Sequence, residues 1–122
     1  LDLSIINYTP IVQYTRCWDD FLLICRGLVI QQGTGEIIAL PFKKFFNIEE
    51  LDSESLPNET FEVYEKMDGS LGIGFWYKDQ FHLATRGSFT SEQALRAEEL
   101  ASEECFLMLP TGFTYLFEII YP

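Results

Sequence analysis

Leu71-Gly72-Ile73-Gly74-Phe75-Trp76-Tyr77-Lys78-Asp79-Gln80-Phe81-His82-Leu83-Ala84-Thr85 is the stretch that decides the fold. Leu71 to Tyr77 reads as a strand, Lys78-Asp79-Gln80 as a turn and Phe81 to Thr85 as the returning strand. Gly69, Gly72 and Gly74 lack the spacing of a phosphate loop or dinucleotide fingerprint, and tight strand packing accounts for them. His82 alternates with apolar neighbours and reads as an ordinary strand histidine. Towards the C-terminus, residues 91–108 form the one convincing helix. Thr90 with Gln93 fits a capping box, and Ala94, Ala97, Ala101 and Cys105 fall on one face. Pro110 and Gly112 close that unit, and Phe113 to Ile120 is a final apolar strand.

Towards the N-terminus, Phe61 and Val63 alternate as a strand leading to Lys66, after an acidic, polar stretch at residues 49–60. Before it, residues 21–41 read as a hairpin. Phe21 to Ile30 is the apolar run, Gly33-Thr34-Gly35 the turn and Glu36 to Leu40 the return. Residues 1–20 carry no clear signal. The sum is an α+β fold, antiparallel β-hairpins with a covering helix, and residues 1–122 read as a single unit without repeat or linker.

At 122 residues and 48% hydrophobic content the chain suits one globular core rather than disorder. No apolar run is long enough to span a bilayer, and the first residues lack a signal-peptide pattern. Cys17, Cys25 and Cys105 stand in unrelated contexts, with no zinc-like spacing, and read as thiols of a reducing, cytoplasmic setting. The formal net charge is −11, which by itself argues against nucleic-acid binding. The eight cations are not scattered, however. Arg26, Lys43, Lys44, Lys66 and Arg86 all sit in motif-like contexts, while the acids gather at residues 49–62 and 92–104. That distribution fits a small basic pocket on an acidic body.

The segment with chemistry in it is Glu65-Lys66-Met67-Asp68-Gly69-Ser70. A lysine at the end of a strand and before a glycine turn is held on a rigid element with its amine free. A nucleophilic lysine has to lose its proton first. Glu65 and Asp68 oppose that loss, so Lys44, Arg86 or a divalent ion is expected to offset them. Taken alone, Lys-x-Asp-Gly also occurs by chance as a solvated turn.

Lys66-Met67-Asp68-Gly69 resembles the signature shared by DNA ligases, RNA ligases and mRNA capping enzymes. The flanks resemble one branch, the RNA ligases of the T-even phage tRNA-repair type. Four further blocks match in order over residues 22–122: Arg26-Gly27-Leu28-Val29, Pro41 to Asn47, Thr85-Arg86-Gly87-Ser88 with Ser91-Glu92-Gln93-Ala94, and Phe117 to Pro122. The resemblance implies an ATP-dependent nucleotidyltransferase domain. In that chemistry a lysine takes AMP from ATP, passes it to an RNA 5′-phosphate, and a 3′-hydroxyl then seals the strand. It implies Mg2+ or Mn2+ as cofactor and ATP and RNA ends as partners. By position, Lys66 matches the nucleophile. Asp68 and Gly69 complete the signature, and Glu65 lies where the family contacts adenine through the main chain. Arg26 and Lys44 match phosphate contacts, Phe46 packs near the nucleotide, and Glu118 matches a ribose- or metal-binding carboxylate. Arg86 stands where the phage enzyme has lysine, which keeps the charge but changes the geometry.

The resemblance also implies a later Glu-Gly strand, a Lys-x-Lys strand and a C-terminal domain, none of which falls within these residues. The 122-residue chain alone is therefore expected to be inactive or nearly so, as a piece of a larger enzyme. Two other classes stay open at this point. One is a DNA ligase or a capping guanylyltransferase. The other is a module that binds nucleotide or protein without transfer.

Overall fold

The computed structural model describes residues 1–101 and 103–120. The expected hairpin is present, with β4 (Ser70–Tyr77) pairing antiparallel with β5 (Gln80–Thr85) and Tyr77 opposite Gln80. Lys78 and Asp79 both take positive φ, 49° and 60°, the two-residue turn whose twist matches the strands it joins. Asp2 braces this turn. Its carboxylate accepts from the Tyr77 hydroxyl at 3.0 Å, the Lys78 amine at 3.2 Å and the Gln31 amide at 3.4 Å. The Tyr77 and Gln31 bonds lead in holding the Asp2 carboxyl down to about 2.

The other edge of β4 pairs with β6 (Tyr115–Ile119), so the order of this sheet is β5-β4-β6. A second sheet is ordered β1-β2-β3, from Leu3–Asn7, Arg26–Gln31 and Ile37–Ala39. Its β2–β3 arm is the expected hairpin around Gly33 and Gly35, both at positive φ. Strand β1 comes from the region whose sequence was silent.

The two sheets share one core, Leu3, Val29 and Ala39 from one and Ile73, Phe75 and Ala84 from the other. The opposite face of the β5-β4-β6 sheet is covered by α3 (Glu92–Leu100). There Ala94 and Ala97 pack on Leu83 and Ile119. Strand alternation explains the division: Ile73 and Phe75 point to one layer, and Leu83 to the other. Among the described residues no helix is long and apolar enough to cross a membrane.

Several local expectations change. Phe21 to Ile24 are not strand but part of α2 (Asp20–Ile24), which follows α1 (Pro10–Thr15). A short apolar run suits either state, and the Asp19 carboxylate decides it by capping the Leu22 N–H at 2.7 Å. The single helix over 91–108 is two, α3 and α4 (Glu103–Leu107); position 102 lies outside the described residues. Ala101 turns extended, at φ −99° and ψ 123°, and ends α3. Phe106 then stacks on Phe81 at 4.5 Å, while Cys105 faces outward. The cap of α3 is Ser91, whose hydroxyl takes the Ala94 N–H at 3.2 Å, rather than Thr90. Cys25 is buried, and burial, with Asp19 nearby, pushes its thiol ionisation up, so it behaves as an apolar core residue.

The expected strand through Phe61 and Val63 does not form, and residues 57–69 are exposed throughout. Phe61 is 84% and Val63 83% exposed. Both edges of β4, the strand that follows, are paired with β5 and β6, and residues 61–65 join neither sheet.

Candidate active site

Arg26, Lys66, Gly69 and Glu118, from three separate segments, line one open cleft of about 460 Å³ with Phe42, Phe45 and Leu71. Each segment arrives by a different route. Arg26 opens β2 opposite Asn7, at a register irregularity in the β1–β2 ladder, and is half-buried. Its guanidinium lies 5.5 Å from the Phe45 ring centre, a cation–π contact. Gly27 follows at φ 78°, and a Cβ there would stand 2.6 Å from the Ile73 side chain. The Arg-Gly pair thus lets β2 sit close on β4 while the arginine turns to the cleft.

Lys66 and Gly69 come from the exposed segment before β4. The Lys66 amine donates to the Met67 carbonyl at 3.3 Å. Gly69 lies so close to β6 that a Cβ would collide with the Ile119 carbonyl oxygen. Its N–H donates to Glu118 Oε1 at 2.8 Å. The carboxylate of β6 therefore clasps the backbone of the Lys-x-Asp-Gly turn. Glu118 is exposed at the cleft rather than buried in a core strand, so it needs no buried partner. Tyr121 and Pro122, the end of its sequence block, lie outside the described residues.

The remaining candidates lie elsewhere. Lys44 and Phe46 line a neighbouring cleft with Trp18, the Lys44 amine 5.1 Å from the Phe46 ring centre. Phe46 meets Trp18 edge-to-face at 5.5 Å. Arg86 is half-buried over the Tyr8 ring at 4.9 Å, and its Nε donates to Asn7 Oδ1 at 3.1 Å. Asn7 Oδ1 also accepts the Gly27 N–H at 2.9 Å, and its amide donates to the Arg86 carbonyl at 2.8 Å. Neither Lys44 nor Arg86 lines the cleft that Lys66 lines. Glu65 and Asp68 are exposed beside Lys66. His82 stacks on Phe75 at 5.7 Å, as a strand histidine does.

Asn7, Tyr8 and Trp18 had no signal in the sequence, yet they organise Arg26-Gly27, Arg86 and Phe46. Only Pro10, at the start of α1, and the cap Asp19 marked their neighbourhood. For a divalent ion the donor set is small. Among the described residues no three His, Cys, Asp or Glu gather. Mg2+ is commonly held by one or two carboxylates plus substrate phosphates, and the cleft-facing Glu118 carboxylate fits that role.

A family profile described as RNA ligase matches residues 24–109. A candidate RNA ligase of Thermovibrio ammonificans is 31% identical over 80% of the chain. A candidate bifunctional polynucleotide kinase/RNA ligase of Autographa californica nuclear polyhedrosis virus is 30% identical over 97% of it. The chain spans 28% and 21% of the lengths of these two relatives. With the greater part of its length matched in this way, the chain belongs to the RNA ligase family.

Proposed function

We propose that this chain is the nucleotide-accepting part of an ATP-dependent RNA ligase in which Lys66 becomes adenylylated. The observation that carries the reading is the convergence of Lys66, Arg26, Gly69 and Glu118 on one cleft floored by Phe42 and Phe45. In the first step the Lys66 nitrogen, after losing a proton, attacks the α-phosphorus of ATP. A P–N bond forms, the bond from the α-phosphorus to the bridging oxygen breaks, and pyrophosphate leaves. An in-line displacement of this kind depends mainly on positioning and charge neutralisation. Arg26 supplies a fixed positive charge for the phosphates, and the exposed aromatic floor offers a surface to the base. Glu118 holds the turn that carries Lys66 and stands ready for the ribose. A divalent ion such as Mg2+ or Mn2+ would be held by Glu118 together with the phosphates and would supply further charge neutralisation. AMP then passes to an RNA 5′-phosphate, and an RNA 3′-hydroxyl displaces it to join the strands, as in repair of a cleaved tRNA. Asp68 and Glu65 flank Lys66, while Lys44, Phe46 and Arg86 would act from the neighbouring cleft and its surroundings rather than from this one.

The test is ATP labelled at either the α- or the γ-phosphate, incubated with the full-length protein and followed by denaturation. Label retained from the α-position and lost from the γ-position supports the reading, and retention of neither refutes it. A second reading, a module that binds nucleotide without transfer, is favoured by the exposure of the whole 57–69 segment around Lys66. Saturable ATP binding with no covalent adduct would select it.

A further inference from the structure

Asn7 lies outside the residues 24–109 that the family profile matches, yet three hydrogen bonds meet at its side chain. It ends β1 opposite Arg26, while Ile6 stands opposite Leu28. Gly27 is therefore the extra residue of a bulge, and its φ of 78° is the left-handed value that such a position takes. A bulged residue leaves the ladder, so its N–H needs another acceptor. Asn7 Oδ1 supplies one at 2.9 Å. Bulges re-aim neighbouring side chains, and the neighbour here is Arg26, which lines the cleft.

The same Oδ1 accepts from Arg86 Nε at 3.1 Å, and the Asn7 amide donates to the Arg86 carbonyl at 2.8 Å. One side chain thus fixes both the backbone and the guanidinium of Arg86, which the Tyr8 ring supports at 4.9 Å. A Cβ on Gly27 would lie 3.7 Å from the Arg86 Cα, so the segments carrying the two arginines touch. Among the described residues neither Arg26 nor Arg86 has a carboxylate within ion-pair distance. Like charges on touching segments repel. A carboxylate at position 7 would hold them by cancelling charge. A neutral amide orders both segments and leaves both charges whole.

We propose that Asn7 is a positioning residue for ATP: it fixes Arg26 at the cleft and Arg86 beside it as one pair of uncancelled charges for the phosphates. It touches no reacting atom and acts through the two arginines. The inference rests on reading the cleft as the ATP site.

The experiment measures the dissociation constant for ATP, and the KM and kcat of α-label transfer to Lys66, in full-length proteins shown to be folded at the assay temperature. The variants are Asn7→Ala, Asn7→Asp, Arg86→Ala and the double variant of Asn7→Ala with Arg86→Ala. Asn7→Ala is expected to weaken ATP binding roughly tenfold and to raise KM with kcat within about twofold, the pattern of lost uniform binding. In the Arg86→Ala background the same change should cost less than about threefold, because one of the two arginines that Asn7 orders is gone. Asn7→Asp keeps both acceptor bonds but sets a negative charge against Arg86. It should weaken ATP binding at least about fivefold, and it carries the test if Asn7→Ala misfolds. ATP affinity unchanged in either folded Asn7 variant overturns the proposal and leaves Asn7 a structural residue. A full tenfold loss in both backgrounds overturns the coupling through Arg86. If the wild-type protein binds ATP but takes no label on Lys66, the ligase reading fails and the dissociation constants still decide the role of Asn7. A wild-type protein that neither binds ATP nor takes label overturns both.

Discussion

Replacing Gly69 by alanine tests the clasp between the signature turn and β6. A Cβ at this position meets backbone, the Ile119 carbonyl oxygen, with the carbonyl carbon at 3.0 Å and the Ile120 side chain at 3.3 Å. Backbone cannot rotate away, so either β6 shifts or the turn lifts. Overpacking of this kind costs about 1–3 kcal/mol. Lifting the turn also breaks the bond from the Gly69 N–H to Glu118 Oε1. That bond is solvent-exposed, so it is worth about 1 kcal/mol rather than the larger values of buried charged pairs. The lost glycine freedom of the unfolded chain returns about 0.4–1 kcal/mol. The net expectation is a loss of roughly 1–3 kcal/mol. Urea unfolding of Gly69→Ala should show a lower midpoint at unchanged slope. Transfer of AMP to Lys66 should slow at least about tenfold, because the turn no longer holds the lysine over the cleft. The opposite outcome is informative. Net stabilisation is what the swap gives where the backbone is unconstrained, and it would refute the close approach of Gly69 to β6.

Asn7→Ala removes three hydrogen bonds, to Gly27 and to both ends of Arg86. It should cost about 3 kcal/mol by chemical denaturation, and a loss under about 0.5 kcal/mol would mean that Asn7 does not organise this corner. Asp2 has a folded-state pKa of about 2 against an ordinary 3.8. Its contribution to stability is therefore full above about pH 4 and disappears as pH falls through about 2. Carboxyl-carbon NMR should find its midpoint near the lower value, and a midpoint near the ordinary one would show that the Tyr77, Gln31 and Lys78 brace does not persist in solution. Glu118→Gln keeps an acceptor for the Gly69 N–H but removes the charge. It should preserve stability within about 0.5 kcal/mol while lowering the rate of AMP transfer; an unaffected rate would leave Glu118 a structural clasp alone.

The sheet carrying the site was legible because its signals are local. The β4–β5 run, the β6 run and the alanine face of α3 each alternate with their own period. The Gly33-Thr34-Gly35 turn announced β2–β3 for the same reason. What failed was set by partners distant in sequence. Strand β1 exists because β2 offers an edge, with Ser4 opposite Ile30 and Ile5 opposite Val29. Phe61 and Val63 alternate like a strand but join neither sheet and stay exposed. Among site residues, Lys66, Arg26, Gly69 and Glu118 could be named from motif order, and the fold brings them to one cleft. The division of the Lys43-Lys44-Phe45-Phe46 block between two clefts could not be read from order alone. It depends on Trp18 and Arg16, which approach from the turn between α1 and α2, in a region whose sequence carries no clear signal.

The central claim is that Lys66 accepts AMP. The full-length protein and its Lys66→Ala variant, both shown to be folded, are each incubated with α-labelled ATP and divalent metal, then denatured. The account predicts label on the wild-type protein that survives alkali, is released by acid, and is absent from the variant. Label of the same stability on the Lys66→Ala protein, or none on a folded wild-type protein, would contradict it.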